Sequence, residues 1–495
     1  MRRAWISMVA AAMACSVAGQ DGGSGNARHP GKYAADAELL IGAFSEIHPG
    51  YTRYASAELM EAEADRLRAA SAVAESEGAF YLAVQRYLAS IRCEHTEAEP
   101  SDAVEAAVSS SLLPLDFAYA LDDSGAPRAI VVGLSPGVEG VRVGDELVAV
   151  DGRPMGDLFE AIRPFISVDG FTDHTRLTLF AGEDDYALPV FELFATLLFD
   201  GGDARESWSL TLASADGAER TVAVAATDMA GALAARGRDG TQKNFSDPGA
   251  VSWERMGDAA VLRVSTFVNY RTPIEAMPLF AEVFREIKAS GVERLVFDMR
   301  EIGGGSGDVQ RALVRHLLTG PMNSGGPTRV RTYDLSAYRE HMRTWNPAVF
   351  EMPAAMFEAD DEGFFVVKPP IGGSVQTVEP APDAWDGELV LLVGPNNESG
   401  ATWLIAELRE QRELLLVGEP TGGSAEGPTA GIIVFLTLPE SGIVARLPLL
   451  DQRTSATDFE PGMGVTPDAV VRPSVADLRA GRDVALERAV LGTDG

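Results

Sequence analysis

The residues best placed to do chemistry are a serine that begins a predicted helix and a run of three glycines some ninety positions earlier. Ser399 follows a predicted buried strand over 388–393. The glycine turn (residues 303–305) follows a second buried strand over 293–300, and its backbone N–H groups are not covered by side chains. A hydroxyl at a strand-to-helix turn, beside a bare backbone, suits attack on a carbonyl carbon. The two segments therefore predict acyl transfer.

The same two turns could supply the donors that an oxyanion needs. The N–H of Gly400 lies at the predicted helix N-terminus, where negative charge is stabilised. Gly303 or Gly304 could supply a second donor. Ser399 could equally be an ordinary helix cap, and the glycine turn an ordinary tight turn. A phosphate cradle is disfavoured because the turn lacks the lysine of a nucleotide-binding loop.

A serine hydroxyl also needs a general base, and the sequence limits where it can lie. No lysine follows Lys368, and no histidine follows His341. The base must therefore precede Ser399 in the chain. Among the six histidines, the pattern favours His95, His316 and His341 about equally, and each also suits a surface position.

The pattern of the chain changes from helices, to short strands, to alternating strands and helices. That last alternation predicts parallel strands in an α/β layer. We therefore expect a multidomain α/β protein. Its predicted parts are a helical domain at 34–110, a β-rich domain at 112–226, a linker at 227–250, an α/β catalytic domain at 251–475 with an irregular insertion at 320–386, and a C-terminal helix and tail at 476–495.

Composition limits the class of partner. The 495 residues carry a formal charge of −32, with 46% hydrophobic residues. A folded acidic protein is expected, and nucleic acid is excluded as a partner because it requires a cationic face. The sequence shows no metal or cofactor motif, so none is expected. Oligomeric state cannot be read from the sequence.

The first twenty residues resemble an export signal. Arg2 and Arg3 precede an apolar run from Ala4 to Ala18, which is shorter than the ~20 residues that a membrane-spanning helix needs. Residues 1–20 are therefore predicted to be a cleaved signal peptide. Cys15 weakly resembles a lipoprotein processing site, so a lipid tether to the membrane is an alternative. The expected location is the bacterial periplasm or cell envelope.

Several motifs together resemble the C-terminal-processing (tail-specific) proteases. Asp-Met-Arg-Glu-Ile-Gly-Gly-Gly at 298–305 is similar to their glycine turn, and Asn-Asn-Glu-Ser-Gly-Ala at 396–401 to their nucleophile helix. Gly-Val-Thr-Pro-Asp at 464–468 resembles their tail motif. Residues 90–96 resemble an N-terminal segment that ends in Gly-His-Thr, and 136–152 part of a PDZ domain. The resemblance implies a PDZ-like domain at 112–226 and a crotonase-like catalytic core.

The resemblance also implies residue roles. One branch of the family has a lysine base twenty-five positions after the serine, but Ser424 stands there in this chain. This points to the branch similar to the tricorn core and the chlamydial protease, which implies His95 as base and Glu460 as the carboxylate that orients it. Asp458 competes with Glu460, and Ser424 could support the site.

Two departures from the family pattern stand beside the implied catalytic residues. Ile302 replaces an asparagine, and Glu94 stands where glycine or serine usually precedes the histidine. Either change could alter the surroundings of the site.

The function expected from these observations is an exported serine peptidase. Its activity is expected to fall as His95 becomes protonated, below about pH 6–7. Two alternatives remain open: a catalytically inactive envelope protein of the same fold that binds peptides, and a hydrolase of small esters or amides.

Overall fold

The computed structural model describes residues 31–182, 188–238, 243–369 and 373–491. Within them, no helix combines the length and the apolar character that crossing a membrane requires. The predicted signal peptide and Cys15 lie outside the described residues and stay predictions.

The described chain begins with helices that pack into one core. These are α1 (Ala34–Ile47), α2 (Ala57–Val73) and α3 (Glu77–Ser90). Ser56 and Ser76 cap α2 and α3, since each hydroxyl accepts an N–H from the first turn of the following helix. The inner faces of α1 and α3 are apolar and buried, through Leu40 and Phe44 on α1 and Phe80 and Val84 on α3. His95 lies in the segment that follows α3. A short strand, β1 (Ala98–Glu99), and helix α4 (Asp102–Ser109) follow it.

Residues 115–225 form an antiparallel sheet with helices packed against it. The strands are β2 (Leu115–Leu121), β3 (Pro127–Leu134), β4 (Glu146–Val150), β5 (Arg153–Pro154), β6 (Ser207–Ala213) and β7 (Glu219–Ala225). Their order is β2-β3-β4-β6-β7, and β5 pairs with β4. The helices are α5 (Met155–Ile162), α6 (Thr175–Ala181) and α7 (Val190–Phe199). A turn at Asp216-Gly217 joins β6 to β7 as a hairpin. The PDZ-like assignment stays a prediction.

Two parts of this half differ from the sequence prediction. Helix α7 is buried on nearly all sides, so its sequence lacks the one-sided apolar pattern that identifies a surface helix. The segment predicted as a linker contains α8 (Met229–Ala235), which is capped by Asp228.

The rest of the chain contains two larger sheets and a two-stranded ribbon. Its strands are β8 (Val251–Met256), β9 (Ala259–Val264), β10 (Arg294–Asp298), β11 (Met322–Ser324), β12 (Thr328–Val330), β13 (Met342–Arg343), β14 (Phe357–Ala359), β15 (Phe365–Val367), β16 (Gln376–Val378), β17 (Glu388–Val393), β18 (Leu415–Gly418), β19 (Thr429–Thr437), β20 (Val444–Gln452) and β21 (Ala469–Val470). Its helices are α9 (Ala276–Ala289), α10 (Gly307–Leu317), α11 (Ser399–Gln411), α12 (Val475–Ala480) and α13 (Val484–Leu491).

The first of these sheets is the predicted α/β layer. Its order is β21-β18-β17-β10-β9-β8, and all pairs are parallel except β8 with β9. Helices α9, α10 and α11 cover one face and α13 covers the other. Burial on both faces explains the unbroken apolar runs of β10 and β17. Because these two strands are parallel neighbours, the turns that follow them lie side by side.

The second sheet ties distant parts of the chain together. Its order is β13-β19-β20-β12-β15-β14, and β1 also pairs with β20. Four of these strands come from the predicted insertion at 320–386, which is therefore built into the fold. The remaining two strands of that region, β11 and β16, pair with each other. The register of β1 places Ala98 opposite Ala445, which brings the segment that carries His95 to the catalytic half.

Candidate active site

Ser399 is the first residue of α11, at the strand-to-helix turn where the sequence places it. Its backbone φ is +46°, a left-handed conformation that is uncommon outside glycine. Such a conformation costs energy and persists because the surrounding structure holds it. The serine is therefore held in a constrained turn.

The glycine turn packs directly against this serine. A Cβ at Gly304 would lie 3.0 Å from Ser399 Cβ and 3.1 Å from the backbone N of Gly400. The φ of Gly304 is +136°, which excludes most side chains. Gly400 is the second helical residue, so its N–H has no acceptor within the helix. The glycine turn and the backbone of Gly400 therefore lie next to each other and to Ser399.

Asn397 holds the two turns in register. Its side chain is buried, and its Nδ2 donates to the carbonyl oxygens of Met299 (2.6 Å) and Ile302 (3.1 Å). Its Oδ1 accepts the N–H of Gly394 at 2.9 Å. A further bond joins α10 to the serine turn, because Gln310 Nε2 donates to the Gly400 carbonyl at 2.8 Å. No sequence pattern indicates these roles for Asn397 or Gln310, although Asn397 lies within the motif at 396–401.

His95 faces the same cavity as Ser399 and the glycine turn. The cavity has a volume of about 1270 Å³, and its rim includes Trp345 and Tyr270. About one fifth of the His95 side chain is exposed. Within the described residues no hydrogen bond joins His95 to the Ser399 hydroxyl. Catalytic hydrogen bonds often tighten only when substrate binds.

The electrostatic surroundings keep His95 neutral. Burial, together with the positive charge of Arg446, lowers its pKa to about 4. An imidazole in this state can accept a proton from a hydroxyl throughout the neutral range. The expected fall in activity below about pH 6–7 assumes an ordinary histidine pKa, and the pKa of His95 is lower than that.

A carboxyl group next to His95 contacts both predicted catalytic residues. Glu94 Oε1 accepts the backbone N–H of Ser399 at 3.1 Å and lies 3.3 Å from Nδ1 of His95. That second contact does not have hydrogen-bond geometry, and Nδ1 makes no hydrogen bond within the described residues. Burial, with the nearby charges of Glu398 and Asp169, raises the pKa of Glu94 well above its usual value.

The two acids predicted near the tail motif lie in exposed positions. No hydrogen bond joins the Glu460 side chain to His95 within the described residues, although its carbonyl accepts the N–H of Met463. The backbone N–H of Asp458 donates to Glu410. No contact in the structure supports the role implied for Glu460, and the assignment stays a prediction.

Ser424 is buried near the nucleophile. Its N–H donates to Asp169 at 2.8 Å, and its hydroxyl accepts from Tyr54 at 3.1 Å. A Cβ at the preceding Gly423 would lie 3.0 Å from the backbone N of Ser399. The loop that carries Ser424 therefore packs behind the serine, as a supporting residue would.

The other two candidate bases have different surroundings. His316 is fully buried on α10, where Nδ1 contacts the Ala312 carbonyl at 2.8 Å and Nε2 lies 3.4 Å from Asp383. A surface position is therefore wrong for His316. His341 lies in the 320–386 region, 3.5 Å from Glu340. His95 is the candidate that lines the cavity with Ser399.

Comparison with known proteins gives a family match for part of the chain. Residues 258–471 match the sequence model of Peptidase family S41. That segment includes Ser399 and the glycine turn, whereas His95 lies outside it. No curated protein sequence is significantly similar to the chain.

Solved structures extend the likeness over most of the chain. A serine-to-alanine mutant of CPAF shares 16% identity at a TM-score of 0.62, covering 94% of this chain and 97% of that one. Mature CPAF complexed with lactacystin shares 17% identity at a TM-score of 0.57, covering 91% and 95%. Mature CPAF alone shares 17% identity at a TM-score of 0.55, covering 90% and 94%. At these identities the likeness concerns the fold. Residues 258–471 are therefore similar to Peptidase family S41, within a chain whose fold is similar to that of CPAF.

Proposed function

We propose that the protein is an exported serine peptidase that cleaves peptide bonds through an acyl-enzyme on Ser399. His95 takes the hydroxyl proton as the oxygen attacks the carbonyl carbon, and later returns that proton to the leaving amine. Water then hydrolyses the ester by the same steps. The oxyanion is stabilised by the N–H of Gly400 and by that of Gly303 or Gly304, each donor contributing about 3 kcal/mol.

The observation that carries this proposal is the close approach of the two turns. Gly304 lies against both Ser399 and the N–H of Gly400, in a cavity that His95 also lines. An ordinary helix cap would explain the serine, but not a backbone turn packed against its Cβ.

The size of the cavity favours a polymer as substrate. A volume of about 1270 Å³ exceeds the roughly 300–1,000 Å³ typical of small-molecule sites. A small ester or amide would leave most of it unfilled. The family that residues 258–471 match also implies peptide or protein substrates.

A fluorophosphonate probe tests the nucleophile directly. We expect the protein to form a covalent adduct that Ser399→Ala abolishes, and we expect Ser399→Ala and His95→Ala each to reduce peptide hydrolysis by about 10⁴-fold or more. Ser374→Ala is the matched control, because Ser374 lines the same cavity but is exposed and lies far from the glycine turn in sequence. Absence of an adduct would support the inactive peptide-binding alternative, and unchanged hydrolysis by His95→Ala would exclude that base.

Export is proposed from the sequence of residues 1–20. The expected mature protein lacks this segment, or carries a lipid on Cys15. Mass spectrometry of the N-terminal peptide from the bacterial envelope distinguishes cleavage, lipidation and retention, and retention of the segment in a cytoplasmic protein would contradict export.

A further inference from the structure

We propose that Glu94 is a positioning residue whose carboxyl group orients both Ser399 and His95. This rests on the proposed function of the same site. Glu94 Oε1 lies 3.1 Å from the backbone N of Ser399 and 3.3 Å from Nδ1 of His95. It thus takes the place beside the imidazole that the family resemblance implies for Glu460.

The burial of Glu94 indicates that this contact is built in. Only 8% of its side chain is exposed, and Oε2 is buried without a hydrogen-bond partner in the described part of the chain. A buried carboxyl with an unsatisfied oxygen costs stability. Glycine or serine at this position would avoid that cost, so the side chain is expected to have a role beyond packing.

On the side of Ser399, the carboxyl group holds the strained backbone. An acceptor on the N–H of the first helical residue stabilises a helix start that no side chain of the preceding residue caps. It also occupies the nucleophile's own N–H. The oxyanion must then rely on Gly400 and the glycine turn, which agrees with the donors proposed above.

On the side of His95, the carboxyl group selects the reactive form of the ring. A proton on Nδ1 that points to Glu94 leaves Nε2 as the acceptor for the Ser399 hydroxyl. When Nε2 takes that proton, the ring becomes an imidazolium cation, and the neighbouring carboxylate stabilises its charge. The 3.3 Å separation is within hydrogen-bonding distance, so the bond forms when the ring or the carboxyl group turns toward its partner.

The ionisable groups around Glu94 set the expected pH dependence. Glu398 precedes the nucleophile, Asp169 lies in the loop after α5, and His95 adjoins Glu94, while Arg446 of β20 acts on His95. The two acids and burial raise the pKa of Glu94, so its carboxylate is lost on acidification before His95 is protonated near pH 4. The acid limb of kcat in the native enzyme is therefore assigned to Glu94.

The test compares Glu94→Gln with the native protein, since glutamine keeps the size and the acceptor for Ser399 but cannot become anionic. We expect kcat to fall by about 10²-fold or more with KM nearly unchanged. The remaining activity should lose the native acid limb and fall only near pH 4. Glu105→Gln, an exposed glutamate on α4, is the control for removing one negative charge.

A second measurement does not depend on activity. In histidine-labelled protein, with the His95 signals assigned through His95→Asn, ¹⁵N NMR should show Nδ1 protonated in the native ring and a shift toward the other tautomer in Glu94→Gln. An unchanged tautomer together with native kcat and pH profile would overturn the proposal. A changed tautomer in a protein that neither hydrolyses peptides nor reacts with fluorophosphonate would uphold the positioning contact and reject the proposed peptidase function.

Discussion

Ser399 and Arg92 both have positive φ angles, +46° and +60°, in a described chain where this is rare for residues other than glycine. Each stands in one of the two segments that must meet to form the site. Left-handed backbone at a non-glycine residue costs about 1–3 kcal/mol, and it is retained where the surroundings impose it. At the scale of single residues, the candidate site therefore holds Ser399 and Arg92 in backbone conformations that residues with a side chain disfavour.

His95 shows how burial changes a prediction made from residue type alone. An imidazole of ordinary pKa would lose its function as a base below about pH 6–7. Desolvation and Arg446 lower the pKa of His95 to about 4. The pH below which protonation of His95 reduces activity is therefore lower than 6–7, and activity that persists at pH 5 is consistent with His95 as the base.

His48 supports the segment next to His95 and provides a test of buried neutral imidazoles. Its Nδ1 accepts the N–H of Gly50 at 3.0 Å, so its Nε2 donates to Thr96 at 2.9 Å. Burial lowers its pKa to about 3. Between about pH 6.5 and 3 the unfolded state binds a proton that the folded state does not. Stability from this group is therefore present above pH 6.5 and is lost as the pH falls.

We expect His48→Gln to lower the free energy of unfolding by about 1–2 kcal/mol at pH 7. The variant lacks the titrating group, so its free energy of unfolding should fall less steeply on acidification. Below pH 6.5 the native protein should lose up to about 1.4 kcal/mol more per pH unit than the variant. Urea unfolding of both proteins at pH 7, 6 and 5 measures this difference, in which the contributions of all other groups cancel. A stability difference that stays constant with pH would show that the pKa of His48 is not lowered in the folded protein.

At the scale of elements, the site depends on two parallel strands that end side by side. The register pairs Asp298 of β10 with Leu392 of β17. The turns that follow are joined by Asn397, whose amide spans from its own turn to the carbonyls of Met299 and Ile302. Three buried hydrogen bonds from one side chain fix the separation of the glycine turn and Ser399.

A side chain should be tolerated at Gly307 but not at Gly304 of the glycine turn. Gly304→Ala places a Cβ 3.0 Å from that of Ser399 at a φ of +136°, so we expect kcat to fall by about 10²-fold or more. In Gly307→Ala, at the first residue of α10, the added Cβ meets nothing within 4 Å, so this variant should keep native kcat. Peptide hydrolysis and circular dichroism of the two variants give the comparison. Equal activities would mean that the close approach of Gly304 has no catalytic consequence.

At the scale of the whole molecule, the 320–386 region is attached to the nucleophile helix by one buried carboxylate. Glu407 of α11 accepts from the Ser324 hydroxyl (2.6 Å), the Gly325 N–H (2.9 Å) and the Trp403 indole (2.5 Å). Thr454 and Ser455, which follow β20, donate to it as well. A single side chain thus holds one wall of the cavity against the helix that begins with Ser399.

Removing this carboxylate should loosen the cavity wall while leaving the chemistry in place. We expect Glu407→Ala to reduce the free energy of unfolding by about 3 kcal/mol or more, because several buried donors lose their acceptor. We also expect faster limited proteolysis within 320–386 and a higher KM. Glu413→Ala, an exposed glutamate just beyond the same helix, is the control. Native proteolysis rates in Glu407→Ala would show that the wall is held by other contacts.

A second buried network joins the N-terminal helices to the catalytic half. Arg53 lies 3.2 Å from Glu426 and 3.5 Å from Asp451, and the Tyr54 hydroxyl donates to Glu426 at 2.8 Å. With the pairing of β1 and β20, it attaches the segment that carries His95 to the half that carries Ser399. The base and the nucleophile therefore depend on contacts between parts of the chain more than three hundred residues apart.

The sequence by itself determined the local elements and their chemistry. Apolar runs, helical spacing and small residues predict strands β10 and β17, helices α10 and α11, the glycine turn and the position of Ser399. These signals act over a few neighbouring positions. It also singled out Glu94 as an unusual residue before His95, though without a role. Helices α7 and α8 were not predicted, because a buried helix and a short capped one leave weak periodic signals.

The tertiary structure decided which distant residues meet. His95, His316 and His341 are equivalent by local pattern. The pairing of β1 with β20 and the Arg53 network bring the first of them to the cavity. The place of Glu94 between His95 and Ser399, the exposed position of Glu460 and the lowered pKa of His95 all arise from long-range packing and burial. These depend on contacts between segments far apart in the chain, and local sequence patterns do not encode such contacts.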